Sequence, residues 1–194
     1  MSVRHFHLMG AGGVGMCGIA EVLLAQGLTV SGCDRVNTER TRRLAELGAK
    51  IDHGHDPDHL EGVDALIVTA AVSNEHPELM AATERGLPVV RRAEMLAELM
   101  RLKRGVAVGG THGKTTTTAI IGHLLTAAGA DPTIIVGGRA HFLGAHARVG
   151  DSPLLICEAD EYDRSFLELA PHLAVITNLE PEHLDCYGTI DELR

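Results

Sequence analysis

The chain has 194 residues, of which 45% are hydrophobic, 22% are charged and 3% are aromatic. Such a chain is long enough for one large or two small domains, whose cores must be filled by aliphatic side chains. Its formal net charge is −9, and the sequence has no basic stripe that could neutralise nucleic-acid phosphates. We therefore expect no nucleic-acid partner. We expect no membrane partner either, because no apolar stretch approaches the ~20 residues of a span and the N-terminus lacks a signal-peptide pattern. The cysteines are widely spaced, as reduced thiols of a cytoplasmic protein are: Cys17, Cys33, Cys157 and Cys186.

The chain begins with a strand, a glycine loop and a helix. Residues 5–9 predict the strand, the loop Gly10-Ala11-Gly12-Gly13-Val14-Gly15 fits the pattern G-x-G-x-x-G, and residues 16–26 predict the helix. A second strand over residues 29–33 ends in Asp34, about where an acidic residue meets a ribose hydroxyl. The glycines permit a tight turn and the close approach of a diphosphate. This order predicts a site for a nucleotide diphosphate.

Strands and helices continue to alternate through the first half of the chain, which predicts an α/β fold with a Rossmann-like parallel sheet. The further predicted elements are a helix at 39–47, a strand at 65–68, a helix at 77–85, a strand at 89–90 and a helix at 93–101. A basic, glycine-ended segment at 101–105 follows. We therefore place a first domain at residues 1–103 and a second at 104–194.

A histidine-rich segment, His53-Gly54-His55-Asp56-Pro57-Asp58-His59, has the composition of a metal site. Its histidines lie in a loop with Pro and Gly rather than on one helix face, and no further ligand cluster is evident. We interpret it as a polar turn before a short helix.

A second glycine loop follows the apolar strand Val106-Ala107-Val108 and reads Gly110-Thr111-His112-Gly113-Lys114-Thr115-Thr116. A helix with apolar residues at helical spacing comes next. Such a loop directs backbone N–H groups and the helix dipole at phosphates, with the lysine reaching the β/γ-phosphates and the following hydroxyl completing the shell of Mg²⁺. The loop is shorter than the usual phosphate loop, since Val108 stands where that pattern has glycine. The alternative is an ordinary strand–helix turn with a surface lysine.

Acidic and polar side chains follow the later strands of the second half. A strand at 133–136 and a glycine-rich segment at 137–150 precede a strand at 153–157, which ends in Glu158-Ala159-Asp160-Glu161. Carboxylates delivered beside a phosphate loop can hold a metal ion, although a solvated acidic turn is the alternative. A strand at 173–177 places Asn178 and His183 on the same edge of the sheet. His183 is a candidate metal or substrate ligand, or else a structural histidine.

Together these segments resemble the Mur ligases of bacterial cell-wall synthesis, and within that family the branch that adds L-alanine. The resemblance is carried by HFHLMGAGGVGMCGIA (5–20), RRAEMLAELM (91–100), VAVGGTHGKTTTT (106–118), EADEYDRSFL (158–167) and TNLEPEHLDCYG (177–188). It extends over essentially the whole chain, in the family's order. His112 in the second loop is typical of the alanine-adding branch, because later ligases tend to have asparagine there.

The resemblance implies that the first domain binds the sugar nucleotide UDP-N-acetylmuramate rather than a nicotinamide cofactor. The residues implied to contact the sugar nucleotide are Gly10, Ala11, Gly12, Gly13, Val14, Gly15, Asp34 and Ala71 of the first domain and His112 of the second. The second domain is implied to bind ATP through residues 110–116. L-Alanine is the implied second substrate.

The catalytic residues implied are Lys114, Glu158 and His183. Thr115 and Glu158 would bind one Mg²⁺, and His183 would be a ligand of a second metal ion. The lactyl carboxylate would attack the γ-phosphate of ATP to give an acyl phosphate, and the alanine amine would then displace phosphate. Lys114 and the metals would neutralise charge on the transferred phosphoryl group.

The chain departs from the family pattern in three respects. A whole ligase would be more than twice as long, so we expect an N-terminal fragment with an incomplete second sheet and an exposed sheet edge. We expect this fragment to bind the sugar nucleotide but not to turn over, because the alanine site and the closing domain are absent. His146 stands where a Thr-Asn pair is expected, and residues 69–73 lack the paired serines expected near the diphosphate.

Three alternative functions remain. One is a ligase that attaches a recycled tripeptide to the same sugar nucleotide, and another is a non-catalytic sugar-nucleotide-binding module. The remote one is an NAD-dependent dehydrogenase built on the first loop and Asp34, which would leave Lys114 and Glu158 unexplained.

Overall fold

The computed structural model of the protein describes residues 3–140, 143, 145–181, 187 and 189. The chain divides into two compact units, Met1–Met95 and Leu96–Arg194. Each unit is built around a five-stranded sheet with helices between its strands. The α/β class is therefore confirmed. The domain boundary after residue 103 stays a prediction.

The first unit has a fully parallel sheet in the order β3-β2-β1-β4-β5. Its strands are β1 (His5–Met9), β2 (Thr29–Asp34), β3 (Lys50–His53), β4 (Ala65–Val68) and β5 (Val89–Arg91). Its helices are α1 (Val14–Ala25), α2 (Glu39–Glu46) and α3 (Pro77–Glu84), with a 3₁₀ helix at Pro57–Leu60. A fourth helix, α4 (Arg92–Arg101), runs across the division between the units.

The core of the first unit follows from its apolar central strands. All four residues of β4 are buried, and Leu8 and Met9 of β1 have no exposed surface. Strands of a parallel sheet are covered on both faces and so read as continuous apolar runs. Loops that could form a site follow the carboxyl ends of β1, β2 and β4.

The second unit has a mixed sheet in the order β10-β6-β9-β7-β8, in which only β8 is antiparallel to its neighbour. Its strands are β6 (Arg104–Gly109), β7 (Thr133–Ala140), β8 (Ala145–Arg148), β9 (Leu154–Glu158) and β10 (Leu173–Ile176). Helix α5 (Lys114–Ala127) packs on β7 and β9, and a 3₁₀ helix covers Tyr162–Glu168.

The core of the second unit lies between α5 and the sheet. Ile134, Val136 and Ile156 are fully buried and are packed by Ala119, Ile121 and Leu125 of the helix, among other side chains. Strand β10 forms one end of the described sheet, and its Leu173 and Ile176 side chains are exposed. Among the described residues, no helix combines the length and apolarity that crossing a bilayer requires.

Most predicted elements lie within a few residues of their observed bounds, but two strands are not among the predicted elements. The short strand β3 contains one large apolar residue, Ile51, and β8 (AHAR) lies in the glycine-rich segment. Both strands lie at sheet ends, where the neighbouring strand imposes an extended conformation without a strong apolar pattern.

Candidate functional site

The second glycine loop leaves the central strand β6 and enters α5. Gly110 and Gly113 adopt φ of +127° and +81°, which only glycine adopts readily. A Cβ atom at Gly110 would lie 2.2 Å from Thr177 Oγ1 and 2.8 Å from the carbonyl oxygen of Asn178. The loop therefore approaches the segment after β10 more closely than any side chain at position 110 would permit.

The segment after β10 braces this loop through a set of hydrogen bonds. Asn178 Oδ1 accepts from the His112 N–H at 2.9 Å, and Asn178 Nδ2 donates to the His112 carbonyl at 3.1 Å. Thr177 Oγ1 donates to the same carbonyl at 2.6 Å. The imidazole of His112 is exposed and lies 3.8 Å from the Glu180 carboxylate. Asn178 thus lies at the predicted sheet edge, where it holds the loop backbone.

Lys114, the first residue of α5, folds back over the loop. Its Nζ donates to the carbonyl of Gly110 at 2.7 Å and forms a 2.7 Å ion pair with Glu161 Oε1. The two side chains are 18% and 11% exposed, so the pair is largely shielded from water. In this arrangement Glu161 neutralises the charge that the prediction assigns to a nucleotide phosphate.

Thr115 and Glu158 lie together beside the loop. Thr115 Oγ1 donates to Glu158 Oε2 at 3.0 Å, and the Gly137 N–H donates to the other carboxylate oxygen. A Cβ at Gly137 would lie 2.7 Å from Glu158 Oε2, so glycine is needed for β7 to pass this close. Burial raises the pKa of Glu158 above its usual range, against hydrogen bonds and Lys114, which lower it. A hydroxyl and a carboxylate are the hard oxygen ligands that Mg²⁺ prefers, so this pair fits that ion.

Of the other residues predicted for this site, the structure describes Thr111 and Thr116 but not His183. Thr111 Oγ1 accepts from the Glu180 N–H at 2.9 Å, and Thr116 is exposed on the first turn of α5. His183, predicted as a metal and catalytic residue, lies outside the described residues.

The first glycine loop joins β1 to α1 and is held by the end of β2. The N–H groups of Gly10 and Ala11 donate to the Cys33 carbonyl at 2.9 and 3.0 Å. The Gly12 N–H donates to Asp34 Oδ2 at 2.8 Å, and a Cβ at Gly12 would lie 2.8 Å from that oxygen. Gly13, with no side chain, is the N-cap of α1, which begins at Val14.

Both carboxylate oxygens of Asp34 accept hydrogen bonds from the backbone. Oδ2 accepts from the Gly12 N–H, and Oδ1 accepts from the Val36 N–H at 3.0 Å. It also lines a cleft of about 210 Å³ at the ends of β2 and β3, with Asn37, Asp52 and His53 among its other walls. Ala71 is exposed in the turn after β4, the strand on the other side of β1. The two predicted side chains thus flank the loop on the carboxyl edge of the sheet.

Three residues at the second loop were not among the predicted site residues, although the structure places them there. Glu161 pairs with Lys114, Thr177 bonds the loop backbone, and Gly137 donates to Glu158. The position of Glu161 in a run of acidic residues was the one available signal. The roles of Thr177 and Gly137 depend on which strands are neighbours, which the sequence alone does not state.

Models of two protein families match the chain. The description "Mur ligase family, catalytic domain" applies to residues 5–104, and "Mur ligase middle domain" applies to residues 108–194.

The chain is also similar to curated proteins named UDP-N-acetylmuramate–L-alanine ligase. That of Sorangium cellulosum is 53% identical over 99% of this chain, and that of Cupriavidus metallidurans is 53% identical over 96% of it. The matches cover 41% and 40% of those proteins, so the chain spans about two fifths of their length.

Solved structures of two ligases share the fold. The UDP-N-acetylmuramate-alanine ligase of Thermotoga maritima is 34% identical with a TM-score of 0.89, over 97% of this chain and 44% of that one. The UDP-N-acetylmuramate:L-alanyl-γ-D-glutamyl-meso-diaminopimelate ligase of Neisseria meningitidis is 30% identical with a TM-score of 0.89, over 98% and 65%. Since the two family models together match nearly every residue, the chain belongs to the Mur ligase family.

Proposed function

We propose that this chain supplies the sugar-nucleotide-binding and ATP-binding parts of a cytoplasmic ligase that joins L-alanine to UDP-N-acetylmuramate. The observation that carries the proposal is the second loop. There Gly110 leaves no room for a side chain, Lys114 stands at the start of α5, and Thr115 and Glu158 pair 3.0 Å apart. These are the parts that a triphosphate and its magnesium require. The curated relatives at 53% identity support the choice of substrates.

In this proposal each group near the second loop has one task. The amides at the start of α5 and the Lys114 ammonium bind the phosphates, and Lys114 leaves Glu161 to do so. Thr115 and Glu158 would hold Mg²⁺, which supplies charge neutralisation at the transferred phosphoryl group. His183 is proposed to serve a second metal.

The proposed reaction has two displacements. An oxygen of the lactyl carboxylate forms a bond to the γ-phosphorus of ATP while the bond from that phosphorus to ADP breaks. The neutral amine of alanine then attacks the acyl carbon of the resulting acyl phosphate. An amide bond forms as the nitrogen loses one proton to water, and inorganic phosphate leaves with the electron pair of the broken C–O bond.

The first unit is proposed to bind the UDP group. Its glycine loop presents the N-terminus of α1, a favourable position for a diphosphate. Asp34 fixes the loop through the Gly12 N–H and lines the adjacent cleft, and Ala71 borders the loop on the other side.

A ligase for a recycled tripeptide is the second candidate, and one observation bears on it. Among the solved structures, the ligase named for the tripeptide substrate is 30% identical to this chain and the alanine ligase is 34% identical, both with a TM-score of 0.89. The curated alanine ligases are 53% identical. The higher identity favours alanine.

Calorimetric titration tests the proposal directly. The chain is titrated with UDP-N-acetylmuramate, with NAD as the control nucleotide, and with ATP–Mg²⁺. We expect heat from the sugar nucleotide but not from NAD, and a separate ATP signal that Lys114→Ala abolishes. Lys103→Ala, which removes a lysine bound to the Ser152 carbonyl outside the loop, should keep the ATP signal. Binding of NAD without the sugar nucleotide would overturn the assignment of the first loop.

Phosphate release distinguishes the catalytic proposal from a binding module. The same chain is incubated with UDP-N-acetylmuramate, ATP, Mg²⁺ and either alanine or the tripeptide. Phosphate and amide product with alanine alone would support alanine as the second substrate, and product with the tripeptide alone would favour the second candidate. Sugar-nucleotide binding without phosphate release in either mixture would support the binding module.

A further inference from the structure

A cluster of buried nitrogen, sulfur and oxygen donors in the first unit is not used by the proposed ligase chemistry. It comprises His7 on β1, Cys33 on β2, His59 in the 3₁₀ helix and Glu78 at the start of α3. One donor atom from each residue lies within 4.8 Å of the donor atoms of the other three. His7, Cys33 and Glu78 are buried, and His59 is partly exposed.

The fold brings these residues together from distant parts of the sequence. In the parallel register His7 faces Ser31 and Met9 faces Cys33, so His7 and Cys33 point to the same side of the sheet. The 3₁₀ helix and α3 cover that side and contribute His59 and Glu78. The histidine-rich segment was interpreted as a polar turn, and two of its histidines, His55 and His59, bind Glu78.

The donor separations among Cys33, Glu78 and His59 are near those of a tetrahedral zinc site, and all four donors lie within 4.8 Å of one another. Cys33 Sγ lies 3.4 and 3.3 Å from the two carboxylate oxygens of Glu78, and His59 Nδ1 lies 2.9 Å from Glu78 Oε1. Zinc bonds of about 2.0–2.3 Å in a tetrahedron separate the donor atoms by about 3.3–3.8 Å. Small rotations of side chains would therefore bring these donors to ligand distances.

His7 provides the second, independent observation. The residue is fully buried, its Nδ1 is bonded to Ser31 Oγ at 2.8 Å, and its Nε2 has no hydrogen-bond partner among the described residues. An unpaired buried nitrogen is costly and calls for a partner. His7 thus has one nitrogen held by a hydroxyl and the other unpaired, and one of its nitrogens lies within 4.8 Å of the other three donors. This is the arrangement of a metal ligand.

We propose that His7 Nε2, Cys33 Sγ, His59 Nδ1 and the Glu78 carboxylate bind a single Zn²⁺ ion. Two imidazoles, a thiolate and a carboxylate form a borderline-soft donor set, which suits Zn²⁺ and disfavours Mg²⁺. Binding forms the Zn–S bond and releases the thiol proton of Cys33 to water, and zinc replaces the hydrogen bonds from His59 and Cys33 to Glu78.

The surroundings of the cluster support the ligands from outside. His55 Nδ1 lies 3.0 Å from Glu78 Oε2 and 3.1 Å from Cys33 Sγ, so it contacts two of the proposed ligands. The Asp56 N–H donates to Glu78 Oε1 at 3.1 Å. The ion would join α3 and the 3₁₀ helix at Pro57–Leu60 to β1 and β2 through ligands that include Cys33, whose carbonyl holds the first glycine loop. Its role is therefore structural.

Metal titration of the 194-residue chain tests the site without any nucleotide. Protein freed of metal with a chelator is titrated with Zn²⁺ against a chromophoric competitor, and with Co²⁺ to detect the thiolate-to-metal absorption. We expect one equivalent per chain, a thiolate band and a higher Tm with zinc. Cys33→Ser and His59→Gln should abolish stoichiometric binding. Ser31→Ala, which removes the support of His7, should weaken it roughly 10–100-fold.

Two variants provide matched controls. Cys17→Ser alters another buried thiol of the same unit, which donates to the Val14 carbonyl. His53→Gln alters an exposed histidine of the same histidine-rich segment. Both should bind zinc as the parent chain does. A band that survives in Cys33→Ser, equal losses in the controls, or no binding at equimolar zinc would overturn the proposal. If circular dichroism shows that Cys33→Ser does not fold, the proposal is judged on zinc binding by His59→Gln and on the thiolate band of the parent chain with cobalt.

Discussion

At the scale of single residues, the ion pair between Lys114 and Glu161 competes with the proposed binding of nucleotide phosphates by Lys114. A largely buried charge that loses its partner destabilises the folded chain. Glu161→Gln should therefore lower the Tm of the nucleotide-free chain, while ATP–Mg²⁺ should bind roughly tenfold more tightly, equivalent to about 1.4 kcal/mol. The reason is that the phosphates no longer compete with a carboxylate for the ammonium 2.7 Å away. Calorimetric titration and thermal unfolding measure the two effects.

The matched control for that variant is Glu168→Gln, an exposed carboxylate of the same 3₁₀ helix. It removes the same charge but should leave ATP affinity and Tm almost unchanged, because exposed charges interact weakly. Equal ATP affinity in the parent chain and in Glu161→Gln would mean that the ion pair does not compete with the nucleotide.

Asp64 is expected to make the stability of the fold depend on pH. Its Oδ2 accepts the N–H groups of Arg4 and His5 at 2.8 and 2.9 Å, and these bonds lower the pKa of its carboxyl. A carboxyl with a depressed pKa stabilises the fold at pH values above its unfolded-state pKa of 3.8, and this contribution is lost as the pH falls through the lower folded-state value. Asp64→Asn should thus reduce stability at neutral pH and flatten its decline in acid.

Urea unfolding followed by circular dichroism at several pH values measures the effect of Asp64→Asn. Glu61→Gln, an exposed acid on the same connection, serves as the control and should leave the pH profile unchanged. Parallel profiles for Asp64→Asn and the parent chain would contradict the prediction.

At the scale of elements, the close approach of α5 to β7 depends on one glycine. A Cβ at Gly122 would lie 2.6 Å from Ile134 Cδ1 and 3.1 Å from its Cγ1. Gly122→Ala gains up to about 1 kcal/mol of helix propensity, but overpacking costs about 1–3 kcal/mol, so we expect net destabilisation. Ile134→Val removes the Cδ1 atom that the new methyl group would meet. The double variant Gly122→Ala/Ile134→Val should therefore be about 1 kcal/mol more stable than the sum of the two single effects.

Ile135→Val is the matched control, because neighbouring residues of a strand point to opposite faces of the sheet. Combined with Gly122→Ala, it should show additive effects in urea unfolding. Additivity for the Ile134 pair as well would mean that the helix moves away from the sheet instead of keeping this contact.

The elements whose patterns are local were predicted well. Both glycine loops, the strands before them and the helices after them follow from apolar runs that meet glycine clusters. The observed α2 begins at Glu39 behind a capping box at Thr38, and α3 begins at Pro77, two boundaries that the sequence signals. Strands β3 and β8 were missed because sheet neighbours rather than their own residues impose the extended conformation.

The contacts of the sites were harder to predict, since they join residues far apart in the sequence. The Lys114–Glu161 pair spans 47 positions, and the Cys33–Glu78 contact spans 45. The run of acidic residues at 158–161 indicated that a carboxylate would lie near the second loop, but not which one. Nothing near His59 in the sequence indicated that α3 would bring Glu78 to it.

At the scale of the whole molecule, the two units should respond to different ligands. Unit Met1–Met95 contains the first glycine loop, and unit Leu96–Arg194 contains the second. A ligand that binds only the folded form stabilises it by RT ln(1 + [L]/Kd), about 2.7 kcal/mol at a hundredfold excess over Kd. We therefore expect UDP-N-acetylmuramate to slow amide hydrogen exchange within the first unit, and ATP–Mg²⁺ to slow it within the second.

Hydrogen exchange measured by mass spectrometry on the 194-residue chain resolves the two units by their peptides. Slowly exchanging amides of β1 and β4 report on the first unit, and those of β6 and β9 report on the second, because core strands exchange through the largest unfolding events. Lys114→Ala should abolish the ATP effect on β6 and β9 while leaving the sugar-nucleotide effect on β1 and β4. Protection of all four strands by either ligand alone would instead mean that the units unfold as one cooperative body, and the ligand sites could then not be assigned unit by unit.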